Sequence, residues 1–370
     1  MSVRMTPPGM AELPAGAVLV DVREAAERRS GHIEDAANIP MGKLISSLPE
    51  VLPDHDLEIV FYCATGARSA MAAAFAASMG YTKTSSLDGG IEAWVRAGQP
   101  WVNPGELSDD QVLRYQRHIT LPDVGVSGQA RLLNSRIAIV GAGGLGSPVA
   151  LYLAAAGIGV LGIIDGDTVD SSNLQRQIIH AIDQIGRAKT ESARERITGL
   201  NPDVKVEVHS ERLDASNGIR ILSGYDLIID ATDNFPTRYL VNDVSLHLRI
   251  PVVHASIYRF EGQVSVFDPY NGPCYRCVFP LPPPPEIAAS CDTGGVLGVL
   301  PGVVGTVQAT EALKLALGIG EPLVGRLMLY DALAQRTSEL RVNRDPNCAA
   351  CGDEGHPPAL VDYDDTCRPA

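Results

Sequence analysis

The sequence predicts an α/β fold in two successive domains, the second built on a mixed, largely parallel sheet and stapled by a structural zinc site. Three observations carry this expectation. Short apolar runs alternate with helix-period segments, the pattern of strands covered by helices. A glycine-rich turn, Gly141-Ala-Gly-Gly-Leu-Gly146, joins one apolar run to a helix. Two Cys-x-x-Cys pairs, Cys274–Cys277 and Cys348–Cys351, offer four soft ligands from distant segments. Tetrahedral Zn²⁺ takes four such ligands, and a complete thiolate set leaves no open position for catalysis. The competing arrangement is two disulfides or idle core thiols. Met1 to Gly16 shows no apolar secretory core, so reduced thiols and a cytoplasmic setting are expected.

Composition narrows the function. The 370 residues suffice for two or three domains, and 45% hydrophobic residues suffice for full cores. With 30 basic against 44 acidic residues the net charge is −14, which argues against a surface for nucleic acid. The uncharged stretch Ile137–Ile164 is long enough for a bilayer. Its glycines and Pro148 break it into strand Arg136–Val140, helix Pro148–Ala156 and strand Val160–Ile164, so no membrane partner is expected.

In chain order, Val18–Val22 and Ile59–Tyr62 read as strands, Ser69–Met79 as a helix ended by Gly80, and Asp88-Gly-Gly90 as the start of another helix. The segment Gly98–Gly105, with two prolines and two glycines, marks the domain boundary, placing domains at 1–104 and 105–370. Ser108 and Gln111 form a capping box that opens a new helix. Further strand–helix–strand units follow over Ile185–Val208 and Leu227–Asp230. Val252–Ile257 and Gln263–Phe267 read as a hairpin around Arg259–Gly262, which makes the sheet mixed. Pro280–Pro285 should be an extended crossover. Gly302–Leu317 reads as a helix, with late strands at Arg326–Tyr330 and Ser338–Val342.

Cys63-Ala-Thr-Gly-Ala-Arg-Ser69 lies between a strand and a helix. Such a loop can turn backbone N–H groups inward around an anion, and the helix N-terminus and Arg68 add positive charge. All three favour a thiolate on Cys63, and the same cradle suits a persulfide. The bland alternative is a small buried cysteine ending a core strand. Together with Asp21-Val-Arg-Glu24, Gly31-His-Ile33, Ala37-Asn-Ile-Pro40, Asp88-Gly-Gly90 and Ala93-Trp94, the loop resembles a rhodanese domain over residues 12–97. The resemblance implies a sulfurtransferase with Cys63 as persulfide carrier and Arg68 stabilising the negative charge of the loop.

The Gly141–Gly146 turn lets backbone amides approach phosphates, and Asp165, ending the next strand, suits ribose hydroxyls. Alone, this motif fits NAD or FAD as well as ATP. Arg176, Lys189 and Asp233 add two cations and a carboxylate, a set suited to a triphosphate with Mg²⁺. Separately each could be a surface ion pair, and Asp233 could merely cap the next helix. In order and content, from Leu107 to Gly352, these motifs resemble the ubiquitin-activating superfamily in its bacterial-type branch, the molybdopterin-synthase and thiamine-pathway adenylyltransferases. The resemblance implies a Rossmann-like ATP-binding domain. ATP would be lined by Gly144, Asp165, Ser172, Asn173, Leu174, Gln175, Arg176, Lys189, Asp233 and Asn234, with Mg²⁺ near Asp233. Arg117 would reach the phosphates of a partner subunit's ATP, which implies a homodimer, and the four cysteines would hold structural Zn²⁺.

Cys291, in Ser290–Gly298, matches by position and flanks the catalytic cysteine of that superfamily; a packing thiol is the alternative. Cys367 has no evident role, and His180 and His254 read as satisfied core or pocket residues. The combined expectation is an enzyme that adenylates the C-terminal glycine of a small ubiquitin-like sulfur-carrier protein ending in Gly-Gly, then transfers sulfur to make a thiocarboxylate. Its upstream sulfur donor would be a cysteine desulfurase or thiosulfate, and molybdenum cofactor biosynthesis is among the pathways using this chemistry. The familiar fusion places the rhodanese domain last, whereas here it comes first. Competing readings are a nicotinamide or flavin oxidoreductase and a non-catalytic module that binds a ubiquitin-like protein.

Overall fold

A computed structural model describes residues 3–5, 13–14, 16–29, 31–102, 107–119, 121–281 and 294–362. Most of the expected proline crossover, Cys291 and Cys367 lie outside the described residues. The chain divides into two compact units, Met1–Val112 and Leu113–Ala370.

The first unit holds a five-stranded sheet of β1 (Val3–Met5), β2 (Val18–Asp21), β3 (Ala37–Asn38), β4 (Glu58–Tyr62) and β5 (Lys83–Leu87). Its order is β1-β5-β4-β2-β3, and every neighbouring pair is parallel. Its helices are α1 (Ala25–Arg29), α2 (Leu44–Val51), α3 (Ala67–Ser78) and α4 (Gly90–Arg96). Two apolar cores flank the sheet. One gathers Val20, Ile59 and Phe61 with Leu44, Leu48 and Ala72; the other gathers Val60, Tyr62 and Leu87 with Ile91 and Trp94. The alternation Ile59/Phe61 against Val60/Tyr62 is the period of a strand buried on both faces.

The division falls within α5 (Asp109–Arg114), whose start carries the expected reciprocal cap. The Gln111 amide N–H donates to Ser108 Oγ at 3.3 Å, and the Ser108 N–H donates to Gln111 Oε1 at 3.1 Å. Then come α6 (Gln116–Ile119), α7 (Gly125–Asn134), β6 (Arg136–Val140), α8 (Gly146–Ala156), β7 (Val160–Ile164), α9 (Lys189–Leu200), β8 (Lys205–His209), α10 (Gly218–Leu222), β9 (Leu227–Asp230), α11 (Phe235–Leu248), β10 (Val252–Tyr258), β11 (Glu261–Phe267), α12 (Tyr275–Val278), α13 (Leu300–Leu317), β12 (Arg326–Asp331) and β13 (Arg336–Arg341). The eight-stranded sheet runs β13-β12-β11-β10-β9-β6-β7-β8. Strands β10, β9, β6, β7 and β8 are parallel, and β10 to β13 pair antiparallel. The sheet is therefore mixed, as expected.

Strand order reverses at β6. The chain steps outward through β7 and β8, then returns to place β9 on the other side of β6. Such a switch point leaves a crevice at the carboxyl ends of the strands. No helix among the described residues is long and apolar enough to cross a membrane.

Candidate functional site

Cys63 follows β4 directly and is buried. The loop after it turns through Gly66, whose φ is +100°, and a Cβ there would come within 2.9 Å of the Gly89 backbone nitrogen. That turn aims the Gly66 N–H at Cys63 Sγ at 3.1 Å, and Ser69 Oγ lies 3.5 Å from the same sulfur. Ser86 Oγ donates to Ser69 Oγ at 2.9 Å, which leaves the single Ser69 proton for Cys63 Sγ or the Gly66 carbonyl. Burial alone would raise the thiol pKa. Hydrogen bonds from Ser69 and from the loop amides outweigh it and hold the thiol below its ordinary range.

Arg68 has a carboxylate partner that the sequence reading did not foresee. It leads α3, but its guanidinium forks onto Glu27 of α1, with Nη1–Oε2 at 2.8 Å and Nη2–Oε1 at 2.5 Å. A bidentate carboxylate partner satisfies the planar guanidinium better than a single sulfur would. Glu27, which burial alone would raise, is held below its usual range by Arg68. Neither Glu27 nor Ser69 was singled out from the sequence. Glu27 lies 41 residues from Arg68, so no local spacing relates them.

In the second unit, three chain segments leave neighbouring parallel strands at the same edge. Gly141 follows β6, Asp165 follows β7 and Ala231 follows β9; Val140 is in register with both Ile164 and Asp230. The turn after β6 must be glycine-rich. A Cβ on Gly146 would lie 1.9 Å from the Gly141 carbonyl oxygen, and Gly141 itself has φ +99°. Asp165 Oδ2 accepts the Ala142 N–H at 2.8 Å and Oδ1 accepts that of Asp167 at 2.9 Å. Burial raises the Asp165 pKa, with the Lys189 charge opposing.

Ser172 and Asn173 lie in a short 3₁₀ turn capped by Asp170, and Asn173 Oδ1 accepts from Arg176 Nη2 at 2.9 Å. Gly144 adjoins Arg176, since a Cβ there would meet Arg176 Cδ at 3.6 Å. Leu174 is half-buried and Gln175 exposed. Lys189, at the start of α9, is buried with its Nζ 2.8 Å from Asp167 Oδ2. Asp233 is exposed and does not cap the helix after it. Asn234 does, accepting the Thr237 N–H at 2.9 Å, because its side chain is the one that points back over the first turn of α11. Arg117 is exposed on α6.

Beneath this edge lies a buried polar knot. Asp230 Oδ2 is 2.7 Å from His254 Nδ1, and Asp230 Oδ1 accepts from the Thr232 N–H and hydroxyl at 3.1 and 2.6 Å. Gln308 Nε2 donates to the carbonyls of Asp230 and Val253. Both ring nitrogens of His180 are partnered, by Ser192 Oγ and the Ala142 carbonyl. Both histidines are buried core groups, but His254 differs from the expected satisfied residue in that its Nε2 has no hydrogen-bond partner.

The four cysteines converge. Cys274–Cys277 and Cys274–Cys348 sulfurs lie 3.8 Å apart, Cys277–Cys351 sulfurs 3.4 Å, and all four fall within 4.8 Å of one another. A tetrahedron of Zn–S bonds of about 2.3 Å has edges of about 3.8 Å, so the set fits zinc. None of these thiols is in a disulfide. The Asp345 N–H points at Cys277 Sγ at 3.4 Å, the kind of donor that supports a ligating thiolate.

Comparison with known proteins agrees with this geometry. Residues 115–350 match the ThiF family, and residues 10–97 match the rhodanese-like domain. Over 263 residues the chain is 50% identical to the sulfur carrier protein adenylyltransferase of Thermus thermophilus, covering 70% of this chain and 97% of that protein. Over 273 residues it is 50% identical to the probable adenylyltransferase/sulfurtransferase MoeZ of Mycobacterium tuberculosis, covering 72% and 68%. Among solved structures it resembles E. coli MccB at 21% identity and a TM-score of 0.58, over 65% of this chain and 75% of that one.

Proposed function

The chain belongs to the ThiF family and carries a rhodanese-like domain, and from that membership we propose that it activates a ubiquitin-like sulfur carrier at its C-terminal carboxylate and supplies the sulfur that replaces the activating group. The carrier carboxylate attacks the α-phosphorus of ATP. The bond to the β-phosphate oxygen breaks, pyrophosphate leaves with the electron pair, and a mixed anhydride with AMP remains. The terminal sulfur of a persulfide on Cys63 then attacks the acyl carbon and AMP leaves, giving an acyl disulfide. A second thiolate, that of Cys291 or of a small-molecule thiol, attacks the Cys63 sulfur. The S–S bond breaks, the thiocarboxylate leaves with the electron pair, and the disulfide left on Cys63 is reduced by a further thiol.

The observation that carries this reading is the edge where Gly144, Asp165 and Asp233 follow neighbouring parallel strands of one sheet, with Arg176 and Lys189 in the segment between β7 and β8. We assign ATP to this edge, with Ser172, Asn173, Leu174, Gln175 and Asn234 completing its walls. Catalysis there is positioning plus charge stabilisation. Lys189 and Arg176 hold phosphate oxygens. Because Asn234 caps α11, the Asp233 carboxylate is left to hold Mg²⁺. The four cysteines would hold one structural zinc.

The homodimer belongs to the same proposal. Ile178, Ile182 and Ile185 are 55%, 79% and 47% exposed within eight residues of chain that follow Arg176. Apolar exposure of that density suits burial by a second copy, which would bring its Arg117 to the phosphates. The upstream donor would be a cysteine desulfurase or thiosulfate.

Two substitutions test the division of labour. Asp233→Ala should abolish ATP–pyrophosphate exchange and leave sulfur transfer to cyanide intact, and Cys63→Ala should do the reverse. Loss of both activities in either variant would overturn the scheme.

A further inference from the structure

The Arg68–Glu27 pair changes what the Cys63 loop can accept. Arg68 leads the helix that follows the thiol loop, near enough for its charge to interact with Cys63. Yet both arms of its guanidinium are held by the two oxygens of Glu27, and Glu27 Oε2 also accepts the Glu24 N–H at 3.0 Å. The pair is partly exposed, at 38% and 31%, so its charges are open to solvent-borne ions. The cation of the loop is thus cancelled by a fixed carboxylate, and the Glu24 side chain adds further negative charge acting on Arg68. The thiol itself is held by neutral donors, the Gly66 N–H and Ser69 Oγ.

We infer that Glu27 is a specificity-determining residue that cancels Arg68 and turns the Cys63 loop away from free dianionic sulfur donors, towards persulfides of lower charge. This rests on the sulfurtransferase reading of Cys63. With thiosulfate, the Cys63 thiolate attacks the outer sulfur, the S–S bond breaks and sulfite leaves with the electron pair. Two negative charges must then approach a third with no uncancelled cation from Arg68. With a carrier persulfide, the thiolate attacks the terminal sulfur and a thiolate leaves. The electron count is the same, with one negative charge fewer in the loop. Unit charges a few ångströms apart near a protein surface interact strongly enough to set such a preference.

The test uses the full chain, cyanide as acceptor, and thiosulfate or cysteine persulfide as donor. Glu27→Gln uncancels Arg68 while keeping side-chain size. The expected result is a KM for thiosulfate lowered about tenfold, with kcat and the persulfide kinetics little changed. Glu27→Asp keeps the charge and should hold the wild-type ratio of the two donors. An unchanged ratio in Glu27→Gln, a KM for thiosulfate that rises, or an equal shift in Glu27→Asp would overturn the inference while leaving the sulfurtransferase intact. A wild-type chain that takes sulfur from neither donor would instead overturn the reading of Cys63, and this inference with it.

Discussion

Lys189 Nζ lies 2.8 Å from Asp167 Oδ2, and the two ends of this pair occupy different media: the lysine side chain is 7% exposed and the aspartate 73%. The buried end of the pair is thus matched by a carboxylate that stands in water, and the Lys189 charge opposes the rise that burial gives the Asp165 pKa. With ATP assigned to this edge, an arriving phosphate would take over the role of Asp167 without new desolvation of the lysine, because the lysine is already buried.

Lys189→Met is therefore expected to lower ATP–pyrophosphate exchange by about 100-fold, the usual effect of removing one group that stabilises transition-state charge. Folding should survive, since the abandoned Asp167 is hydrated and the methionine fills the lysine's apolar path. Isotope exchange and a thermal melt together check this. Exchange within threefold of wild type would remove Lys189 from the phosphate site.

The cysteine cluster makes a compositional prediction. Each chain should bind one zinc, countable by native mass spectrometry. Cys348→Ser should lose it together with several kcal/mol of stability. Cys274, Cys348 and Cys351 are buried in a small cluster with Leu246 and Ala350. Without metal, that cluster would hold only mutually crowding thiols. A chelator that leaves the melting temperature unchanged would argue for idle thiols instead.

Cys63 should react as a thiolate at lower pH than a free thiol. The rate of iodoacetamide alkylation against pH reads this, with an inflection below the ordinary thiol value of about 8.5. The sign for stability follows. A depressed thiol pKa in the folded chain adds stability above the unfolded pKa, lost as pH falls through the folded one. Ser69→Ala removes one donor to the sulfur and should slow alkylation at neutral pH severalfold. No change would assign the effect to the loop amides alone.

How far these features could be read from sequence depends on whether their cause is local. The strands Arg136–Val140, Val160–Ile164 and Leu227–Asp230 were legible to the residue because buried parallel strands are continuous apolar runs between glycine turns. The capping box at Ser108 is legible because both partners lie within one turn. Strand Lys83–Leu87 escaped, since Lys-Thr-Ser-Ser-Leu carries one apolar residue and is held by its neighbours β4 and β1. Helix Gly125–Asn134 escaped because two glycines lie inside it. The Cys-x-x-Cys pairs announced convergence across 74 residues, since metal chemistry fixes their spacing. The Arg68–Glu27 pair had no such signature. Its partners are common charged residues 41 positions apart, with no local spacing to relate them.

The His254–Asp230 pair yields the last prediction. Burial holds the His254 imidazole below its usual range, so it is neutral and Nδ1–H donates to the carboxylate. Burial would raise Asp230, but the bond from His254, the Arg238 charge and the Thr232 hydroxyl reverse that and hold it low. These two depressions act in separate windows. As pH falls below the unfolded histidine value of about 6.5, the unfolded chain takes a proton that folded His254 refuses. Stability then drops by up to about 1.4 kcal/mol per pH unit until the folded pKa is reached. The contribution of Asp230 persists until pH falls below its unfolded value of about 3.9 and is lost through its still lower folded one. His32 and His180 are depressed in the same way, so the diagnostic is a difference between chains. His254→Asn keeps a donor for Asp230 but cannot titrate, and its unfolding free energy should lose part of the slope below about pH 6.5. His254→Ala leaves the carboxylate short of a donor in the core and should cost about 3 kcal/mol. It should also slow ATP–pyrophosphate exchange, because Asp230 fixes the Thr232 turn that carries Asp233. A slope identical in wild type and His254→Asn would mean that folded His254 takes up its proton as readily as the unfolded chain does, and the neutral-imidazole arrangement would have to be abandoned.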